Sequence, residues 1–245
     1  MRTFSSLAAV ATLSAIPASP VVADERAAGP VIVELYTSEG CGGCMDANDF
    51  AAELTGEAGV LVLTFGVDYW DFLGWEDSTA RPEFFSRQHD YAEWLPNERP
   101  YTPQMVVDGH VDQAGFNRDT VRVVIEYCRS HVKPDPTIAV SHSGERIHVD
   151  LGAGDAPEER ADVWLVAFAP GAHAIEIGAG DNAGRTMVRH NVVHSVRQLG
   201  AWDGDAVSLE AETLGDEVPG ELGYAVLVQN AGLGRMIATG YVLPE

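Results

Sequence analysis

Two cysteines three positions apart, Cys41 and Cys44, are the side chains of this sequence most suited to chemistry. They lie in the string CGGC, after the apolar run VIVELYT and before a segment with helical periodicity. Two thiols at this spacing can cycle between dithiol and disulfide, can form half of a zinc site, or can be a permanent structural staple. The residues around the two cysteines indicate which of these three uses is favoured.

A position at the start of a helix favours the redox use of the pair. Two intervening residues let the sulfurs approach to roughly 2 Å, the length of a disulfide bond. The free amides of a helix N-terminus stabilise a thiolate on the first cysteine. We therefore predict that Cys41 attacks a substrate sulfur and that Cys44 resolves the mixed disulfide.

Hydrophobic periodicity predicts the elements that must position this dithiol. The runs VIVELYT and GVLVLTFGVD are typical of strands buried on both faces of a parallel sheet. A second helix is predicted over 82–95, then a hairpin with its turn at Asp108-Gly109, then a helix over 118–132. The first helix is predicted from apolar side chains that recur on one face: Cys44, Ala47, Ala51 and Leu54.

The resulting order is β-α-β-α-β-β-α, with the dithiol between the first strand and the first helix. This order is similar to a thioredoxin fold, and the combination is far more specific than the C-x-x-C spacing alone. We predict an α/β thioredoxin-like domain with a mixed sheet over residues 24–133.

The second half of the chain has a different pattern. The sequence KPDP at 133–136 cannot continue a helix and is typical of a linker. About seven short strands follow without a helix, separated by Gly-, Asp- and Pro-rich turns. This pattern predicts a small all-β, sandwich-like domain over residues 137–245.

The N-terminus has the pattern of a secretory signal peptide. A basic residue precedes the run LAAVATLSAIPA, and Val21 and Ala23 hold the small-residue positions before an acidic start. We predict a signal peptide over 1–23 and a secreted or periplasmic mature protein, in which disulfides are permitted. The apolar run is too short and too interrupted for a membrane anchor, and no other segment is apolar enough to span a bilayer.

The charge of the chain bears on its partners. The sequence has 37 acidic and 15 basic residues, which gives a net charge of -22. A protein this acidic repels phosphate backbones and anionic lipid headgroups. We therefore expect no nucleic acid partner, while the shortness of the apolar runs predicts no membrane span.

The dipeptide Thr102-Pro103 is the second feature of the predicted site. A thioredoxin-like enzyme needs a proline, usually cis, opposite its dithiol at the start of the third strand. The residue before this proline can pair its backbone with an extended substrate. We predict a cis bond and substrate binding at Thr102 and Pro103; the alternative is an ordinary trans proline that opens a strand.

The string VDYWDFLGW, after the second strand, brings aromatic side chains to the end of the sheet where ligands bind in open α/β folds. We predict that Tyr69 and Trp70 form a recognition wall for substrate beside Cys41. The alternative is a hydrophobic cap that joins the two domains.

Acidic residues surround the dithiol in sequence. Glu39, Asp46 and Asp49 lie close to it, and no Lys, Arg or His occurs between Glu34 and Asp71. Negative neighbours disfavour a thiolate, so we predict a moderate or reductase-like potential. Glu34, in the first strand, is a possible acid or base for Cys44; alternatively, its side chain leaves the sheet near the strand end.

Other residues of chemical interest have simpler explanations. Cys128 is the odd cysteine and is predicted to be a small, partly buried apolar side chain; the alternative is a further disulfide. His190 and His194 would span about 13 Å in a strand, too far to share one ion. We predict no metal ligands among them.

Four strings together resemble the secreted, thioredoxin-like family catalogued as domain of unknown function 1223: VELYTSEGCGGC, VDYWDFLGWEDSTARPEFFSRQHDYA, YTPQMVVDG and HNVVHSVRQLGAWDG. The resemblance covers essentially the whole mature chain. It implies a thioredoxin-like N-terminal domain joined to a β-rich C-terminal one. Both thiols of the pattern are present, with Gly43 between them, whereas Cys128 is not part of it.

The leading hypothesis is a secreted thiol-disulfide oxidoreductase that needs no cofactor. Its partners would be protein thiols and disulfides and an unidentified redox partner. One alternative is a protein that binds a soft ion such as Cu(I) through the same thiolates. Another is a non-catalytic binding module in which the disulfide is structural.

Overall fold

The computed structural model describes residues 29–97, 99–131, 136–214 and 221–244. The predicted signal peptide at 1–23 lies outside the described residues, as does most of the predicted linker at 133–136. Both stay predictions.

The first half has the predicted order of elements. They are β1 (Val31–Thr37), α1 (Cys44–Thr55), β2 (Val60–Gly66), α2 (Pro82–Ala92), β3 (Gln104–Val107), β4 (Val111–Ala114) and α3 (Arg118–Ser130). β1 pairs in parallel with β2 and antiparallel with β3. The predicted hairpin is confirmed: β3 pairs with β4 across a turn in which Asp108 and Gly109 both have positive φ.

The described part of the second half contains strands and no helix. They are β5 (Ile138–Ser143), β6 (Arg146–Leu151), β7 (Ala161–Glu176), β8 (Thr186–Trp202), β9 (Val207–Glu212), β10 (Gly223–Gln229) and β11 (Met236–Val242). The predicted all-β character of this half is therefore confirmed. β5, β6 and β9 form a separate three-stranded antiparallel sheet.

The other four strands do not form a sheet of their own, which differs from the predicted small sandwich. They continue the sheet of the first half, in the order β11-β10-β7-β8-β2-β1-β3-β4. The junction is short, with Thr64 of β2 paired in parallel with Val192 of β8. The Thr64 hydroxyl donates to the His190 carbonyl at 2.6 Å, and Asn191 Nδ2 donates to the Val62 carbonyl at 2.9 Å. β8 thus covers an edge of β2 that would otherwise be unpaired.

β7 and β8 form one long hairpin, although the sequence indicated shorter strands. Two of the short strands in the sequence pattern are the strings VWLVAFAP and AIEIG, which Pro170 and Gly171 would separate by a turn. In the structure β7 continues through Pro170 and Gly171 without ending. Its register with β8 shifts at three places, one of them between Ala169 and Ala172. Such irregularities accommodate proline and glycine without ending a strand. The extra length carries the tip of this hairpin as far as the dithiol.

Helices cover both faces of the first-half sheet. α1 and α3 pack on the face lined by Val33 and Leu35, and the predicted apolar face of α1 is confirmed as buried. α2 packs on the opposite face with Phe84 and Tyr91. In the second half, the three-stranded sheet packs on β7 and β10.

Candidate active site

The dithiol lies between the end of β1 and the start of α1. Cys41 and Cys44 form a disulfide, and Cys44 is the first residue of α1. The Cys41 amide donates to the Ser38 carbonyl at 3.2 Å, and the Cys44 amide donates to the Cys41 carbonyl at 3.1 Å. These turns place both sulfurs at the N-terminal end of the helix, as the sequence predicted.

The Thr102-Pro103 bond is cis, as predicted. Pro103 lies beside the dithiol loop, since a Cβ built on Gly43 would be 3.7 Å from its Cδ. On its other side Pro103 packs against Gly115, whose own Cβ would lie 3.2 Å from Pro103 Cβ. Cys41, Cys44 and the Thr-Pro dipeptide therefore come together at one end of the sheet.

The predicted aromatic pair also lies at this end. Trp70 Nε1 donates to the Thr102 hydroxyl at 2.7 Å, and the indole packs against the cluster that contains both cysteines. Tyr69 contacts the rings of Trp70 and Phe85. Burial raises the pKa of Tyr69 to about 12, so its hydroxyl is neutral at physiological pH. Phe72 stacks on Trp70 and leaves 78% of its surface exposed, which extends the aromatic surface outward.

Glu34 does not lie beside Cys44, so the predicted acid-base role is not supported by its position. Successive side chains of a strand point to opposite faces, and Leu35 packs on the α1 face. Glu34 points to the α2 face, where Arg87 donates to both of its oxygens at 2.8 Å. Tyr36 and Tyr91 donate to it through their hydroxyls at 2.8 and 2.7 Å.

These contacts set the protonation state of Glu34. Burial by itself would raise its pKa, but Arg87 and the two tyrosine hydroxyls outweigh burial and hold the pKa below the ordinary value of 4.5. The group is a structural carboxylate that ties β1 to α2.

The disulfide is covered by the second half of the chain. Cys41 is 3% exposed and Cys44 is fully buried, whereas Gly42 and Gly43 between them are exposed. The cover is the turn that joins β7 to β8, residues 177–185, together with the first residues of β8. From it, Ile177 and Met187 pack against the two cysteines.

Asn182 fastens this turn to the dithiol loop. Its side chain is fully buried, and its Nδ2 donates to the Glu39 carbonyl and to the Cys41 carbonyl, both at 2.8 Å. Asp181 lies alongside, since a Cβ built on Gly42 would be 3.4 Å from its Oδ2. No sequence pattern pointed to Asn182, because GDNAG has the ordinary composition of a turn.

A buried cation near the loop was also missed. Arg189 of β8 pairs with Asp77 at 2.6 Å and lies 3.9 Å from Glu39, and all three side chains are buried. Burial would raise the pKa of Asp77, but Arg189 and several hydrogen bonds hold it below its ordinary value. Glu39 further accepts from Trp75 Nε1 and from the Ser78 amide and hydroxyl.

The charge around the dithiol is therefore less negative than its sequence neighbours suggested. Asp46 and Asp49 are exposed to solvent, and Glu39 has a buried arginine nearby. Arg189 is 148 positions from Cys41 in sequence, so no reading of the local sequence could have found it. The predicted moderate potential stays a prediction.

Asn48 supports the start of α1. It is buried one helical turn after Cys44, and its Nδ2 donates to the Thr37 hydroxyl and the Cys44 carbonyl at 2.8 Å and contacts Met187 Sδ at 3.6 Å. The helical periodicity that found the apolar face includes this position. Asn48 could have been found from the sequence as a polar side chain on the otherwise apolar face of α1.

The remaining candidates have no contact with the dithiol. Cys128 is free and buried in α3, in agreement with its predicted apolar role. Burial first, then the nearby Asp108, raises its pKa to about 12. His190 and His194 both lie in β8, as predicted, and burial lowers the pKa of each. Within the described ranges, no group of three or more His, Cys, Asp and Glu side chains is placed to hold a metal ion.

Comparison with known proteins places the chain in a family. The model of the family described as "Protein of unknown function (DUF1223)" matches residues 32–229. The chain belongs to the DUF1223 family. The match includes the dithiol, the Thr-Pro dipeptide and the turn that carries Asn182.

A solved structure has a similar architecture. It is an X-ray crystal structure of a protein from Agrobacterium tumefaciens, 27% identical, which covers 91% of this chain and 97% of its own with a TM-score of 0.76. A search of curated proteins gave no match. This DUF1223 chain has, in its described part, no helix long and apolar enough to cross a membrane.

Proposed function

We propose that this protein is a secreted or periplasmic thiol-disulfide oxidoreductase with a thioredoxin-like first half. The observation that carries the proposal is the disulfide itself: Cys41 and Cys44 are joined at the N-terminus of α1, beside Thr102-Pro103. A helix N-terminus favours a thiolate, and the adjoining surface presents an aromatic wall.

The chemistry is a pair of thiol-disulfide exchanges. A thiolate of a substrate protein attacks Cys41 Sγ, the bond to Cys44 breaks, and Cys44 leaves with the electron pair as a thiolate. A second substrate thiolate then attacks the substrate sulfur of the mixed disulfide and releases Cys41. The substrate gains a disulfide and the enzyme becomes a dithiol; the reverse sequence reduces a substrate disulfide.

Four residues would hold the substrate beside the sulfur. Thr102 and Pro103 offer backbone to an extended segment, and Tyr69 and Trp70 contact apolar side chains of that segment. The hydrogen bond from Trp70 to the Thr102 hydroxyl joins the aromatic pair to the Thr-Pro dipeptide, so the two proposed substrate contacts lie next to each other.

The test is reduction of insulin by the mature protein in the presence of dithiothreitol, followed by turbidity. Cys41→Ser should abolish the activity, and Cys128→Ser should retain it because Cys128 is buried in α3 away from the pair. Equal activity of wild type and Cys41→Ser would disprove the proposal.

One observation favours a second candidate function, a permanent staple in a binding module. Cys41 is only 3% exposed, which is low for a sulfur that must be attacked. A staple resists mild reductant in the folded protein, whereas an enzyme disulfide is reduced and reforms. Thiol counting on the folded protein after mild reductant therefore separates the two candidates.

A further inference from the structure

The cover over the dithiol is built differently from the rest of the hairpin that carries it. Below the tip, β8 is fixed by the fully buried pair of Arg189 with Asp77. The turn 177–185 has no such ion pair with the dithiol loop among the described contacts, and Gly180 and Gly184 adopt positive φ in it. It closes on itself through bonds between Ile177 and residues 184 and 185.

Among the residues that the structure describes, Asn182 makes the hydrogen bonds between this turn and the dithiol loop. Its two hydrogen bonds end on backbone carbonyls of Glu39 and Cys41, not on sulfur. The other contacts are packing: Ile177 against the cysteines, and Gly178 against the ring of Trp75. If the turn swings away, water can solvate both carbonyls and Cys41 Sγ becomes accessible.

We propose that the turn 177–185 is a gate over the disulfide and that Asn182 is the residue that decides which thiols reach Cys41. This inference rests on the proposed function and deepens it. A substrate that cannot displace the turn meets a buried sulfur, so the gate selects partners that bind beside it and lift it. The Asn182 side chain bonds to carbonyl oxygens that are present in both redox states. It therefore controls the rate of thiol-disulfide exchange in both directions and not the position of the redox equilibrium.

The experiment compares wild type, Asn182→Ala and a matched control, Thr186→Val. Thr186 donates to Glu176 across the exposed strand ends next to the turn, and none of its hydrogen bonds among the described residues ends on the dithiol loop. The rates of reduction by dithiothreitol and of reoxidation by oxidised glutathione are measured by stopped-flow tryptophan fluorescence and acid quenching.

Asn182→Ala should raise both rates about tenfold, the effect of losing about 1.4 kcal/mol from two net hydrogen bonds, with their ratio unchanged. Thr186→Val should behave as wild type. Unchanged rates in Asn182→Ala would overturn the gate. A tenfold change in the ratio of the two rates would also overturn it, because Asn182 would then stabilise one redox state. Equal effects of the two variants would overturn it as well, because any loosening of the hairpin would then be sufficient.

Hydrogen exchange on the wild-type protein tests the gate without relying on a variant that folds. The Nδ2 hydrogens of Asn182, which bond to the carbonyls of Glu39 and Cys41, should exchange by a local opening, with less protection than the amides of β7 and β10 that pair in the sheet. Protection equal to that of the sheet would overturn the proposal. Insulin reduction is not part of either readout, so a failure of the gate and a failure of the proposed function are distinguishable.

Discussion

At the scale of single residues, two buried arginines organise the molecule. Arg87 neutralises Glu34 beneath the α2 face, and Arg189 neutralises Asp77 behind the dithiol loop. Removing one partner of a buried ion pair destabilises the folded state far more than removing one partner of an exposed pair. The consequences of substitution should therefore differ sharply between buried and surface ion pairs.

Arg87→Met should destabilise the fold by about 3–5 kcal/mol, because it leaves the Glu34 carboxylate buried without its cation. Arg118→Met is the control, since Arg118 pairs with Glu53 on the surface where both side chains are at least 40% exposed. The control should cost less than about 1 kcal/mol. Urea unfolding measures both, and comparable losses would contradict the assignment.

The pH dependence of stability should carry the signature of Glu34. Its pKa in the folded protein is below 4.5, so its contribution is complete above the unfolded value and is lost as the pH falls through the folded pKa. The free energy of unfolding of wild type should therefore fall more steeply below pH about 4.5 than that of Glu34→Gln, by up to about 1.4 kcal/mol per pH unit. Parallel profiles for the two proteins would show that the carboxylate is not held ionised.

Cys128 should be unreactive in the native protein. Its raised pKa, about 12, keeps the thiol protonated at neutral pH, and α3 buries it. Mass spectrometry after iodoacetamide treatment should show no label on native protein and one label after denaturation without reductant. Rapid labelling of native protein, or no label on denatured protein, would contradict this.

At the scale of elements, the sequence was a good guide wherever a segment's own periodicity decides its structure. The face of α1 that includes Cys44 and Ala47, and the hairpin at Asp108-Gly109, are local in this sense. The length of β7 and β8 is not local, because Pro170-Gly171 is typical of a turn. Only the paired structure shows that a register shift between Ala169 and Ala172 accommodates these two residues within β7. The hairpin's approach to the dithiol was therefore invisible in sequence.

Gly178 provides a test of how closely the gate packs. A Cβ at this position would lie 2.5 Å from Cζ3 of Trp75, so Gly178→Ala must push the turn or the indole aside. We expect faster reduction of the disulfide by dithiothreitol, by several-fold. In a Trp75→Leu background, where the ring is absent, the same substitution should have little effect. An equal acceleration in both backgrounds would rule out contact with Trp75 as the cause.

At the scale of the whole molecule, the two halves share a sheet through β2 and β8, and the second half closes over the dithiol of the first. The candidate site could be predicted as far as Cys41, Cys44, Thr102-Pro103 and the aromatic pair, all of which lie in sequence patterns. Asn182 and Arg189 reach the site only through the long-range pairing of strands. The division into domains at 24–133 and 137–245 stays a prediction.

The excess of acidic residues should make the whole protein sensitive to ionic strength. With a net charge of -22, self-repulsion disfavours the compact state, and salt screens it. Raising the salt from about 0.01 M to about 0.15 M shortens the Debye length from about 30 Å to about 8 Å, so the urea midpoint should rise. A midpoint that is constant or falls would show that repulsion between surface carboxylates is not significant.

The most direct test of a redox-active Cys41–Cys44 pair is its titration against glutathione buffers, with the reduced fraction measured by thiol trapping. We predict a reversible two-electron transition between about -180 and -270 mV, the range of protein disulfide isomerase and thioredoxin. A potential near -120 mV would refute the predicted moderate potential. A pair that stays oxidised below about -300 mV would contradict the central claim, because the bond would then be a structural staple.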